Sequence, residues 1–130
     1  YFGAVQTGIL VYISGQGPRR PDGTSITGKV GTGGMSIADA QAAARLVGLN
    51  ALATLRAEIG DLDRVKRVVK VLGMVNAAPD FNEHPKVING YSDLMFEVFG
   101  EAGRHARSAV GMGSLPFQIP VEVEMIVEVD

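Results

Sequence analysis

The chain contains no cysteine and no tryptophan in 130 residues. Without cysteine there is no disulfide scaffold, thiolate zinc site, cysteine-ligated iron–sulfur cluster or cysteine nucleophile. The composition suits a reducing compartment, and a cytoplasmic location is expected. Histidine is nearly as scarce. His84 and His105 form no HxxxH or HxH pair, so neither a metal site nor another cofactor site is expected. No run approaches the ~18 consecutive apolar residues of a membrane helix, and the chain is expected to be soluble. Its 12 basic and 14 acidic residues are interspersed, net charge −2, and no basic block suggests a nucleic-acid partner. Tyr1 rather than methionine stands first, which fits trimming of earlier residues, so the lack of a signal-peptide pattern says little.

What is present is a globular composition: 46% hydrophobic, 20% charged and 17 glycines. The length fits one domain, residues 1–130. Gly8 to Ser14 reads as a β-rich strand ending in Ser14-Gly15-Gln16-Gly17-Pro18, where glycine frees the backbone for a turn or bulge. Pro21-Asp22-Gly23 reads as a tight turn and Ile26 to Gly31 as a short returning strand. Ser36 looks like an N-cap, with Asp39 completing a variant capping box. From Ile37 through Ala40, Ala44, Val47, Ala51 and Leu55 to Ile59, apolar residues recur at helical spacing, and Gly60 is a natural stop.

Val65 to Asn76 is β-branched and alternating, hence a strand. Pro85 opens a second helix with an apolar stripe of Ile88, Tyr91, Leu94, Met95, Val98 and Phe99, closed by Gly100 or Gly103. Ala106 to Met112 is a further strand and Leu115-Pro116 a turn. Val121 to Val129 alternates strictly, with Glu122, Glu124, Ile126 and Glu128 on the second face. The order β-β-α-β-α-β-β describes an α+β fold, a mixed sheet with two helices that can cover one face. The other face must meet water or another subunit, and Ile126 among the glutamates favours an oligomer.

Few residues combine into chemistry. Gly31 to Gly34 precedes a helix but lacks the GxxxxGK[ST] frame, so it reads as a flexible joint rather than a phosphate loop. Arg107 sits among small residues, with room to offer its planar fork to a carboxylate; a surface pair with Glu97 or Glu101 is the simpler reading from spacing alone. Glu122 alternates with apolar residues, so partial cover there would raise its pKa and suit it to act as a base toward water; a solvated strand face is the bland alternative.

Gly8 through Gln16, Arg107-Ser108-Ala109-Val110, Leu115-Pro116 and Val121-Glu122-Val123-Glu124 together resemble the Rid (YjgF-like) family of reactive-intermediate deaminases, also called L-PSP endoribonucleases. The likeness runs from Tyr1 to Val129. It implies a chorismate-mutase-like sheet with two helices on one face, assembled as a homotrimeric barrel with clefts between subunits. It also implies hydrolysis of 2-imino acids of the 2-aminoacrylate type to 2-oxo acids and ammonia, without cofactor or metal. On that pattern Arg107 holds the substrate carboxylate and Glu122 activates water, while Tyr1, Ser14, Gly15, Asn89 (before the second helix) and Ala109 line the cleft. Ala109 stands where deaminating members often carry cysteine, and Arg19 to Gly34 and Asn76 to Ile88 are longer than in compact members. The resemblance is to a less characterised branch. A non-catalytic trimer that binds carboxylate metabolites is therefore the alternative function, and endoribonuclease activity ranks behind both.

Overall fold

The computed structural model describes residues 2–130, so the expectation for Tyr1 lies outside the described residues. Seven main elements follow in order: β1 (Ala4–Thr7), β2 (Leu10–Gln16), α1 (Ile37–Ile59), β3 (Val65–Asn76), α2 (His84–Phe99), β4 (Ala106–Met112) and β5 (Val121–Val129). One mixed sheet has the order β1-β2-β5-β3-β4, with β3 and β4 parallel and the other neighbours antiparallel. A parallel pair needs a crossover, and α2 supplies it between β3 and β4.

The helix starts and stops follow local chemistry. The Ser36 hydroxyl accepts the Asp39 amide at 3.1 Å, and the Gly60 amide closes α1 on the Arg56 carbonyl. Caps of this kind stabilise a helix by about 1 kcal/mol. The buried stripe of α1 is Ala40, Ala43, Ala44, Val47, Gly48, Ala51, Leu52, Leu55 and Ile59. Small residues let α2 come close: a methyl group added at Gly90 would run into the Gln41 carbonyl. Both helices cover one face of the sheet, over Val11, Val68, Val71, Val75, Val121, Val123 and Val127. Burying side chains of this kind contributes roughly 1.5–3 kcal/mol each.

Three expectations need correction. The first hairpin is β1 with β2, joined through Gly8-Ile9, whereas Ile26 to Gly31 forms no strand. That segment carries glycines at positive φ, and its buried Val30 makes isolated bridges to Met35 and Ala77 instead. Val98 faces solvent, because the stripe of α2 turns through Val87, Ile88, Tyr91, Leu94 and Met95. Asn89 lies inside α2 rather than before it. No helix among the described residues is long and apolar enough to cross a membrane.

The opposite sheet face carries no helix. It presents Val5, Tyr12 and Val110, each more than a third exposed, beside Leu72, Met74 and Ile126. A groove of about 580 Å³ runs across it, where Lys70 donates to the Ser108 hydroxyl at 3.2 Å.

Candidate functional site

Arg107 lies opposite Val71 in the β3–β4 ladder, so the two-residue period turns its side chain toward the helices. Because β4 is the sheet edge, that side chain emerges beside α2 instead of entering the core. Its Nη1 donates to Asn89 Oδ1 at 2.9 Å and to Ser92 Oγ at 3.0 Å. Asn89 and Ser92 are three apart on α2 and therefore share a face. Neither Nε nor Nη2 has a partner among the described residues. The pairing with Glu97 or Glu101 is not made: Glu97 binds Arg45 at 2.9 Å and Glu101 binds Arg104 at 3.1 Å.

The Ser92 hydroxyl lies 2.9 Å from His105 Nε2, and His105 Nδ1 lies 2.7 Å from the Gly103 carbonyl. A carbonyl only accepts, so Nδ1 carries the proton. Burial holds the His105 pKa below its ordinary value; the Arg107 charge adds to that while the Gly103 carbonyl opposes it. The ring is accordingly neutral at pH 7, and Nε2 accepts from Ser92. Ser92, Phe96, Arg104, His105 and Arg107 line a cleft of about 820 Å³.

Glu122 occupies a different place. It pairs with Met74 and alternates with the buried Val121 and Val123, so it belongs to the sheet face opposite Arg107. A methyl group on Gly15 would collide with the Glu122 carboxyl group, which lies directly over that glycine. The irregular register between Ile13 and Gln16 brings Gly15 there. Burial raises the Glu122 pKa, and the neighbouring Glu124 raises it further. Ser14, Gly15, Asn50, Phe117 and Glu122 line a second cleft, of about 760 Å³. The Ser14 hydroxyl donates to the Phe2 carbonyl at 2.6 Å. Thus within one chain Arg107 with Asn89 lines one region, and Ser14, Gly15 and Glu122 another.

Ala109 faces the helices opposite Gly73 and packs on the core, on neither cleft wall. A methyl group added at Gly111 would run into the His84 ring. No cluster of three or more histidine, aspartate or glutamate side chains suited to a metal occurs among the described residues.

Three residues at the clefts escaped the sequence reading. His105 stands two before Arg107, so strand alternation puts both on one side, a signal available in the sequence. Ser92 follows Asn89 at helical spacing, which was equally readable. Phe117 is 91% exposed at the mouth of the second cleft and adopts a positive φ of 58°, as does Gln118 at 59°. Left-handed backbone is costly for an aromatic residue, and nothing in its side chain announces it.

Residues 3–129 match the family model described as "YjgF/chorismate mutase-like, putative endoribonuclease". Protein TCP17 of Trypanosoma cruzi is 46% identical over 131 residues, covering 100% of this chain and 81% of that protein. The crystal structure of Atu1372 from Agrobacterium tumefaciens, a protein of unknown function, has 44% identity and a TM-score of 0.96, covering 100% of this chain and 84% of that one. That of a "putative endoribonuclease" from Shewanella oneidensis has 34% identity and a TM-score of 0.94, covering 99% and 85% respectively.

Proposed function

This chain belongs to the YjgF/chorismate mutase-like family, and we propose that it hydrolyses reactive 2-imino acids to 2-oxo acids and ammonia. Residues 1–130 act as one Rid-like domain. The observation that carries the reading is the half-buried Arg107 guanidinium, fixed through Nη1, with Nε and Nη2 unpartnered. That edge matches a carboxylate in two parallel charge-assisted hydrogen bonds. Binding there orients the imine carbon next to the carboxylate, and orientation is most of what an electrophilic imine needs.

Glu122 acts as the base. Its raised pKa makes it a stronger proton acceptor than an ordinary exposed carboxylate. It takes a proton from water as the oxygen bonds to the imine carbon, and the C=N electron pair moves to nitrogen, which receives that proton from the Glu122 carboxyl. The carbinolamine hydroxyl then passes its proton through the regenerated carboxylate to the amino nitrogen as the C–N bond breaks, leaving the 2-oxo acid and ammonia. One water is consumed, and neither oxidant nor metal enters the balance.

Arg107 and Glu122 occupy different clefts of one chain, so the reading requires two chains per site. A homotrimer supplies this if the exposed apolar sheet face is buried between copies, and Ser14, Gly15 and Asn89 then surround the substrate. The acidic balance of the chain and the Glu122–Glu124 pair disfavour a polyanionic RNA substrate. Ala109, in place of the family's frequent cysteine, favours a second reading, a trimer that captures carboxylate metabolites without turnover. The test is ammonia release from 2-iminopropanoate generated in situ. Acceleration above the spontaneous rate supports hydrolysis. Saturable pyruvate binding with no acceleration supports the second reading, and neither effect rejects both.

A further inference from the structure

We propose that Ser92 and His105 are positioning residues that hold the Arg107 guanidinium so that its Nε–Nη2 edge faces a carboxylate. The role in ligand capture rests on the reading of Arg107 given above, whereas the ordering of Arg107 does not. Arginine on an edge strand ordinarily has a long, mobile side chain, and immobilising it on binding costs affinity. Here one terminal nitrogen is already committed. Nη1 carries two hydrogens and donates both, to Asn89 Oδ1 and Ser92 Oγ.

The order of those bonds is directional. The Gly103 carbonyl accepts from His105 Nδ1, which leaves Nε2 as an acceptor. Nε2 takes the Ser92 proton, so the serine oxygen turns its lone pairs to Arg107. Were Ser92 free to rotate, its hydroxyl could direct its proton toward the guanidinium and oppose it. The chain Gly103–His105–Ser92–Arg107 ties the turn after α2, the helix itself and β4 together around one side chain. It spends Nη1 on the protein and leaves a single geometry for the ligand, a side-on approach to Nε and Nη2.

The test uses Ser92→Ala, His105→Ala and His105→Gln in the full chain, with two readouts. In ¹⁵N NMR without ligand, the unsubstituted chain should show His105 with Nδ1 protonated and Nε2 bare. Its Arg107 Nη1 and Nη2 signals should be separate, reporting restricted rotation about Cζ–Nε. Ser92→Ala and His105→Ala should merge those signals, while His105→Gln, which can return an acceptor near Nε2, should keep them apart. In pyruvate titrations the first two variants should weaken binding roughly 3- to 10-fold, and the glutamine variant less. Merged Arg107 signals in the unsubstituted chain, or separate ones in both alanine variants, would overturn the proposal, as would unchanged pyruvate affinity in both. If the unsubstituted chain binds no pyruvate, the carboxylate reading and the role in capture fall, while the NMR arm still decides the ordering of Arg107. Loss of folding in one alanine variant leaves the other to decide.

Discussion

Between β4 and α2 a guanidinium is held by two direct acceptors, one of them backed by a histidine and a backbone carbonyl. Beyond β5 a carboxylate rests over the bare Cα of Gly15, with no hydrogen-bond partner among the described residues and its pKa raised by burial and by Glu124. One region fixes the position of its charged group through a chain of hydrogen bonds. The other leaves position loose and alters proton affinity. That contrast matches two tasks, capture of an anion and removal of a proton. It also explains why the two clusters tolerate separate elements: positioning needs a rigid framework of helix and strand, whereas pKa tuning needs little more than cover and a like charge.

Substitutions test this contrast in descending order of effect. Arg107→Ala should weaken pyruvate binding about 1,000-fold in calorimetric titrations, because two charge-assisted hydrogen bonds are lost. Glu122→Gln should leave that affinity nearly unchanged and lower kcat about 100-fold, the range of a lost general base. The ionised carboxylate is the working form and its pKa is raised. Activity of the unsubstituted protein should therefore be present above that pKa and decline as pH falls through it, at higher pH than for an ordinary carboxylate. The glutamine variant should lack this acid limb. Gly15→Ala places a methyl group against the Glu122 carboxyl and should cost about 10-fold in kcat with little change in melting temperature, since a side-chain end can move aside.

His105 gives a smaller effect with a definite sign. Its pKa is lowered in the fold from 6.5, so the unfolded chain binds the proton more readily. Stability should fall as pH drops below 6.5 toward the lowered folded pKa, and His105→Gln should remove that component from a pH series of denaturant melts. Smallest of all, Arg45→Ala breaks an exposed ion pair between α1 and α2 and should leave the denaturant midpoint nearly unchanged.

Much of the framework is legible in the sequence. The bounds of α1, β3, β4 and β5 follow from local periodicity and caps: Ser36, Gly60, the alternation from Val65 and the strict alternation from Val121. The hairpin was misplaced because Ala4–Thr7 is short and mostly exposed, so it has little apolar pattern, whereas Ile26 to Gly31 looks β-like but spends its backbone bonds on turns and isolated bridges. Arg107 and Glu122 could be singled out from residue type and neighbours. Their separation could not, because alternation assigns faces only once pairing and register are known. The Ser92–His105 link falls between: each half was visible at its own period, but joining a helix position to a strand position requires the packing of α2 on β4.

Imine hydrolysis driven by the Arg107 clamp is tested most directly by ammonia release from freshly generated 2-iminopropanoate, comparing the unsubstituted protein with Arg107→Ala at the same oligomeric state. The unsubstituted protein is expected to accelerate release above the spontaneous rate, and the variant to return it to that rate. Equal acceleration by both proteins would contradict the assignment.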